Sequence, residues 1–353
     1  MRSPLRVLLL VPMATVCLLC ACAPIPDDGS ALPTGASAHN STVTDDLDAP
    51  WSIAFHGSTA LVSERDSARV LEIGAGGTHR EVGVIAGVAP SGEGGLLGLA
   101  IRERHLFAYY TTAEDNRIER FDLTGEPGSL GISGGTPILT GLPAATNHNG
   151  GRIAFGPDAM LYATVGDAGD RPGAQDRANL AGKILRMTPD GQPPADNPFP
   201  DSLVYSYGHR NPQGLAWSPD GRMFASEFGQ NTWDELNLIE PGGNYGWPEV
   251  EGIADRPGFL DPVQQWSPAQ ASPSGMTITD TAIYLANLRG QRLREIPLDD
   301  LTGSTEHLVR EYGRLRDVVR APDGTLWVLT NNTDGRGNPT TGDDRIVRLD
   351  HAN

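Results

Sequence analysis

The chain has 353 residues, of which 44 are acidic and 27 basic, giving a formal net charge of −17, with 39% hydrophobic residues and 43 glycines. This composition excludes a disordered chain, a collagen-like repeat and a multi-span membrane protein. The acidic balance excludes phosphate neutralisation on nucleic acid as the main function, because that needs an excess of Lys and Arg, and Lys183 is the only lysine.

Arg2 and Arg6 precede an apolar run from Val7 to Ala21, and all three cysteines fall within the first 22 residues. A basic start before a run too short for a comfortable bilayer span predicts a secretion signal over 1–21. The run ends in Leu19-Cys20-Ala21-Cys22, which resembles the bacterial lipobox cleaved just before its cysteine, so Cys22 is the expected lipidated residue. A plain signal peptide cleaved nearby is the alternative. Either way no cysteine pair remains, and the exported protein relies on its core rather than on disulfides. Residues 22–45 are rich in Pro, Ser, Thr, Gly and Ala without apolar periodicity, and read as a flexible tether reaching roughly 25 Å. The folded domain is expected over 46–353.

Along that domain one pattern recurs: apolar strand, tight turn, apolar strand. It appears as Trp51-Ser-Ile-Ala-Phe before Ala60-Leu-Val, and as Leu97-Gly-Leu-Ala-Ile before Leu106-Phe-Ala-Tyr-Tyr. Next come Arg152-Ile-Ala-Phe-Gly-Pro-Asp before Leu161-Tyr-Ala-Thr-Val, and Gly214-Leu-Ala-Trp-Ser-Pro-Asp-Gly before Met223-Phe-Ala-Ser. The last two are Met276-Thr-Ile-Thr-Asp before Ala282-Ile-Tyr-Leu-Ala, and Asp317-Val-Val-Arg-Ala-Pro-Asp-Gly before Leu326-Trp-Val-Leu-Thr. Proline presets φ in these turns and glycine accepts a positive φ. Six copies at spacings of roughly 40 to 60 residues fit four-stranded propeller blades better than helical repeats or a sandwich. The expected fold is all-β, a six-bladed β-propeller of four-stranded antiparallel blades, closed by Arg345-Ile-Val-Arg-Leu-Asp. Only 175–185 has helical potential.

Propellers carry function on loops at one mouth of the ring, so polar segments between hairpins hold the candidate residues. These are Gly92-Glu-Gly-Gly-Leu-Leu-Gly, Asn147-His-Asn-Gly-Gly-Arg, Gly166-Asp-Ala-Gly, Gly208-His-Arg-Asn-Pro-Gln-Gly, Ser226-Glu-Phe-Gly-Gln-Asn-Thr-Trp-Asp-Glu, Gly242-Gly-Asn-Tyr-Gly-Trp-Pro and Arg314-Leu-Arg-Asp. Other signals fail on context. Gly131-Ile-Ser-Gly-Gly has hydrolase spacing without a strand-to-helix elbow, and the glycines at 92–98 lack the dinucleotide spacing and its helix. No His-Glu-x-x-His pattern supports a zinc hydrolase. Asn331 to Asp344 breaks the EF-hand pattern and reads as a solvated loop.

Together the polar segments resemble the soluble quinoprotein glucose/sorbosone dehydrogenases, or aldose sugar dehydrogenases, which are six-bladed propellers using pyrroloquinoline quinone (PQQ) and calcium. The similarity runs from Pro50 to Thr330 and is strongest from Tyr205 to Pro248. It implies that His148 is the general base for the anomeric hydroxyl of an aldose, oriented by Asp167, and that Arg210 polarises the quinone carbonyl with Asn211 beside it. It also implies cofactor contacts from Arg314, Arg316 and Arg289, with Glu93 standing where glucose-oxidising members have a glutamine contact. For calcium it implies the backbone carbonyls of Gly229 and Gln230 at the catalytic ion, and the Glu235 carboxylate with the Tyr245 carbonyl at a structural ion.

Chemistry agrees with these roles. A carboxylate on the far nitrogen of an imidazole fixes its tautomer and stabilises the imidazolium. A tricarboxylate cofactor on an acidic protein needs a local concentration of arginines. The departures are Glu93, whose charge beside an anionic cofactor calls for protonation or pairing with Arg or calcium, and Phe228 and Gln230 around the calcium-binding glycine. The expected protein is thus a monomeric or homodimeric aldose dehydrogenase, passing electrons to an external acceptor and touching the membrane only through its lipid anchor. The competing readings are a non-enzymatic surface propeller binding a glycan or protein, since fold does not fix function, and a metal-dependent lactonase.

Overall fold

The computed structural model describes residues 40–350. The expected secretion signal, Cys22 and the tether as far as residue 39 lie outside the described residues. Strand β1 (Asn40–Thr44) comes first. Blade one contains β2 (Pro50–His56), β3 (Thr59–Glu64), β4 (Arg69–Ile73) and β5 (His79–Val84), and blade two β6 (Leu96–Arg102), β7 (His105–Thr111), β8 (Asn116–Thr124) and β9 (Gly131–Leu142). Blade three contains β10 (Ile153–Phe155), β11 (Leu161–Val165), β12 (Lys183–Met187) and β13 (Val204–Tyr207). Blade four contains β14 (Pro212–Trp217), β15 (Met223–Glu227), β16 (Asp234–Ile239) and β17 (Gln264–Trp266). Blade five contains β18 (Pro273–Ile278), β19 (Ala282–Asn287), β20 (Arg292–Pro297) and β21 (Thr305–His307). Blade six is built from β22 (Leu315–Arg320), β23 (Leu326–Thr330), β24 (Ile346–Leu349) and the returning β1. All pairings within the blades are antiparallel, and this is the six-bladed propeller expected from the hairpin repeats.

Each predicted hairpin is the first two strands of a blade. These strands lie between neighbouring blades and bury both faces, so Leu161–Val165 and Ala282–Asn287 are buried at every position. The outer β9 is largely exposed. Ring closure differs from expectation. Residues 346–349 are the third strand of blade six, and β1 takes the outer place, pairing Asn40 with Leu349 and Thr42 with Val347. The folded domain therefore reaches into the stretch read as tether. Asn-Ser-Thr-Val-Thr is too polar to announce a strand, but it caps the edge that β24 would otherwise expose.

The stretch 175–185 forms no helix. Lys183, fully buried, donates through Nζ to the carbonyls of Gly173 (2.8 Å) and Ala174 (3.0 Å), which draws the loop inward before the chain enters β12. Among the described residues the helical turns are two single 3-10 turns, Ala75–Gly77 and Pro172–Ala174. No helix among them is long and apolar enough to cross a membrane.

The innermost strands are pinned near the axis by one buried ion pair. Arg152 Nη1 donates to Asp317 Oδ2 (3.0 Å) and Ser52 Oγ (3.2 Å), while its Nε donates to the Gln213 carbonyl (3.0 Å). Its guanidinium also lies over Trp51, 4.4 Å from the ring centre. One side chain thereby ties blades one, three, four and six together, and Asp317 further accepts the Ile53 N–H at 3.1 Å.

Candidate active site

In every blade the chain enters the first strand and leaves the second at the same end of the ring. The segments before β6, β10, β14 and β22 and after β3, β11, β15, β19 and β23 therefore open on one mouth. This topology gathers the candidate side chains, which are scattered from Arg65 to Arg336 in sequence.

His148, just before β10, meets Asp167, just after β11. Its Nδ1 is 2.7 Å from Asp167 Oδ1, and Asp167 is completely buried. Asp167 also accepts the Gly169 N–H (2.8 Å) and, through Oδ2, the Trp247 indole N–H (2.8 Å). Burial pushes its carboxyl up, but the hydrogen bonds from His148, Gly169 and Trp247 outweigh burial and hold it below the ordinary carboxylate range. With Nδ1–H committed to a carboxylate, Nε2 is the basic nitrogen. The Asn147 amide nitrogen, 3.3 Å from Nε2, fits the same tautomer as a donor. His148 has φ +59, and Gly166 lies so close beneath it that a Cβ there would sit 1.9 Å from the His148 carbonyl oxygen. Only glycine fits at 166.

Arg210 and Asn211 precede β14. The Arg210 carbonyl accepts the Asp167 N–H at 2.7 Å, and its Nη1 donates to the carbonyls of Phe228 (3.1 Å) and Gly229. Burial draws its pKa below the ordinary arginine value, a shift that leaves it charged. Asn211 Oδ1 accepts the Gly150 N–H at 3.0 Å. Arg210 Nε and Asn211 Nδ2 are buried without a hydrogen-bond partner. Donors left unmade inside a protein are uncommon, and these two suit a ligand rich in acceptor oxygens.

A cleft is lined by Trp51, Arg65, Glu93, Phe228, Arg289, Arg314, Arg316 and Arg336, among others. Five arginines face one carboxylate there, so the cleft suits a multiply anionic ligand. Arg316 is held by Asn331 Oδ1 (3.0 Å), Gln213 Oε1 (2.9 Å) and Ser274 Oγ (3.3 Å), and Arg314 by Asp334 (3.1 Å). Burial pushes the Arg316 guanidinium down to about 9, which is still cationic at neutral pH. Glu93 is paired, as its charge requires: Oε1 lies 3.2 Å from Arg336 Nη1 and Oε2 accepts the His148 N–H at 3.0 Å.

Three of the four calcium candidates share a second cavity with Arg210. Gly229, Glu235 and Tyr245 line a small cavity with Glu227, Trp247 and Glu251. Burial, then the neighbouring Glu227, push the Glu235 carboxyl up to about 8, so ionising it is costly in this oxygen-rich pocket and a hard cation would offset that cost. The Phe228 and Gly229 carbonyls already face a cation, the Arg210 guanidinium, while the Gln230 N–H donates to Glu251 at 2.6 Å. No ready cluster of three His, Cys, Asp or Glu ligands occurs among the described residues. A calcium ion here would rest on Glu235 and on backbone carbonyls, of which that of Gly229 is turned to Arg210.

Several site residues carry no role of their own in the sequence reading, although Gln213 and Trp247 fall inside its candidate segments. Arg65, Arg336, Gln213, Asn331 and Asp334 shape the cleft, and Trp247 braces Asp167. Residues 331–344 are not simply solvated: Asn331, Asn332, Asp334 and Asp344 are buried. The available signal was positional, since Arg65 and Asn331 to Arg336 follow second strands on the functional mouth. Gly131–Leu142 is strand, so no nucleophile elbow surrounds Ser133.

Residues 47–342 match the glucose/sorbosone dehydrogenase family. The chain is 50% identical to the aldose sugar dehydrogenase of Streptomyces coelicolor, whose structure was solved in its PQQ-bound form, with a TM-score of 0.84 over 88% of this chain and 98% of that one. It is 28% identical over 350 residues to the aldose sugar dehydrogenase YliI of Escherichia coli, spanning 85% of this chain and 92% of the relative. It is 42% identical over 144 residues to quinoprotein glucose dehydrogenase B of Acinetobacter calcoaceticus, spanning 35% of this chain and 30% of the relative.

Proposed function

The chain belongs to the glucose/sorbosone dehydrogenase family, and we propose that it oxidises aldose sugars at C1 to lactones with PQQ and calcium, passing the electrons to an external acceptor. The observation that carries this reading is the His148–Asp167 pair, tied through Glu93 to a cleft lined with arginines. A non-catalytic binding propeller has no use for a buried carboxylate fixing one imidazole tautomer.

Bound PQQ supplies the two-electron acceptor for the hydrogen leaving C1. Arg289, Arg314 and Arg316 would hold its carboxylates, Arg210 and Asn211 its ring oxygens, and Gly229 and Gln230 a calcium ion acting as a Lewis acid. His148 Nε2 takes the proton of the anomeric hydroxyl, which prepares C1 to lose hydride. The Asp167 carboxylate, 2.7 Å from Nδ1, stabilises the imidazolium that forms. Trp247 and Gly169 keep Asp167 from turning away. Arg210 would supply positive charge to a quinone held there, and its backbone carbonyl anchors the Asp167 amide.

His148→Gln is the test: turnover should disappear while PQQ binding, followed by the cofactor absorption spectrum, persists. Retained turnover would remove His148 from the base role. The Leu19-Cys20-Ala21-Cys22 motif further supports export and anchoring through a lipid on Cys22. Cys22→Ala should then release the protein from the membrane fraction.

A further inference from the structure

Glu93 sits in a tight turn, with Ser91 and Gly94 exchanging backbone hydrogen bonds at 3.3 and 2.9 Å. The turn is docked against the segment leading to His148. The Glu93 N–H donates to the Thr146 carbonyl at 2.8 Å, and a Cβ on Gly92 (φ +62) would fall 2.0 Å from that same oxygen. Two residues further on, Glu93 Oε2 accepts the His148 N–H at 3.0 Å. Backbone and side chain of one residue thus bracket 146–148 at both ends.

The bracketed residue is conformationally unusual. His148 holds φ +59, a left-handed region that residues other than glycine occupy only at a steric cost. Three contacts fix it there: Glu93 on its N–H, the Ala168 N–H on its carbonyl (3.1 Å), and Asp167 on its imidazole. The other Glu93 oxygen, Oε1, meets Arg336 across the cleft at 3.2 Å. Two donors, the His148 N–H and the Arg336 guanidinium, converge on one side chain. A carboxylate offers both an acceptor, whereas a glutamine amide has one oxygen and must turn an NH₂ toward the other donor.

We propose that Glu93 is a positioning residue for the catalytic base, holding the His148 backbone in its left-handed conformation, and that its carboxylate serves His148 and Arg336 rather than the cofactor. This rests on the reading of His148 as the base. Loss of the acceptor frees the His148 N–H and lets the peptide relax, which moves Nε2 without touching Asp167.

The experiment compares Glu93→Ala and Glu93→Gln with the wild-type chain, all checked for folding by near-UV circular dichroism. Three quantities are read: the PQQ Kd by spectral titration of the calcium-loaded apoprotein, kcat at saturating PQQ, and the His148 imidazole ¹⁵N signals in apoprotein, assigned by their loss in His148→Gln. Glu93→Ala should lower kcat by about 10- to 100-fold, the usual penalty for a reacting group displaced by about 1 Å. It should shift the imidazole signals and leave the PQQ Kd within about threefold. Glu93→Gln keeps one acceptor for the His148 N–H and should recover most of kcat. A raised PQQ Kd with normal kcat per loaded site in Glu93→Ala would overturn the proposal in favour of direct cofactor contact. So would a Glu93→Gln protein no better than Glu93→Ala. If Glu93→Ala does not fold, the imidazole signals and kcat of Glu93→Gln decide alone: wild-type-like signals with kcat largely kept support the clamp, and displaced signals or a raised Kd refute it. Turnover surviving in His148→Gln would instead defeat the base assignment itself, whatever Glu93 does.

Discussion

Replacing Asp167 by Asn separates the two things this carboxylate does while keeping its shape. Three donors converge on it, His148 Nδ1–H at 2.7 Å and the Gly169 and Trp247 N–H groups at 2.8 Å. An amide accepts through one oxygen only, so either Trp247 loses its acceptor or His148 faces an NH₂ and switches tautomer, which removes the lone pair from Nε2. In the first case the electrostatic loss remains. A carboxylate and an imidazolium with charge centres about 4 Å apart attract by about 4 kcal/mol at an effective dielectric of about 20. At about 1.4 kcal/mol per decade, losing all of this costs about 1000-fold, and losing half, for a proton midway through transfer, about 30-fold. Asp167→Asn should therefore lower kcat by about 30- to 1000-fold, measured with saturating PQQ, calcium and an artificial dye acceptor, while the PQQ Kd stays near that of the wild type. A variant within about threefold of wild-type kcat would refute the tautomer and charge reasoning together.

The same residue has a signature in acid stability. The Asp167 pKa is depressed in the fold, so its stabilisation is complete above the unfolded value of about 3.9 and is lost as pH falls through the lower folded value. In urea denaturation the stability gap between wild type and Asp167→Asn should narrow as pH falls below about 4, where the Asp167 carboxylate itself is protonated; a gap that widens there would contradict the assignment. Removing calcium with a chelator should lower Tm and weaken PQQ binding, both reversibly, with about 2.7 kcal/mol at stake when calcium is at 100 times its Kd. An unchanged Tm and Kd would dismiss the Gly229, Gln230, Glu235 and Tyr245 assignments. Arg152→Met should cost about 3–5 kcal/mol in urea denaturation because it strands the buried Asp317 carboxylate, and Asp317→Leu placed on top should recover part of that. No recovery would mean that the axial arginine acts through its contacts to Ser52 and Gln213 rather than through the ion pair.

The fold was legible where burial on two faces forces near-continuous apolar runs, as at Leu161–Val165 and Ala282–Asn287. It was illegible where strands are solvated: β9 and β1 are polar, and β1 finds its place only because β24 leaves an edge free. Site residues whose roles depend on unusual residue types in glycine-rich loops, such as His148, Asp167 and Arg210, could be singled out. Those acting through long-range partners could not. Nothing local links Arg336 to Glu93, 243 positions apart in the chain, because only the ring brings their two loops to one mouth, whereas Asn331 reaches Arg316 within the β22–β23 hairpin. The segment 331–344 misled through composition, since its carboxylates and amides are buried as braces for arginines instead of being hydrated.

The most direct test is spectral titration of the purified domain with PQQ in the presence of calcium, followed by addition of a panel of aldoses. Stoichiometric binding and then sugar-dependent bleaching of the oxidised cofactor spectrum, abolished in His148→Gln, is the result that the arginine-lined cleft and the His148–Asp167 pair predict. A folded, calcium-supplied protein that fails to bind PQQ, or binds it and leaves every aldose untouched, would contradict the account.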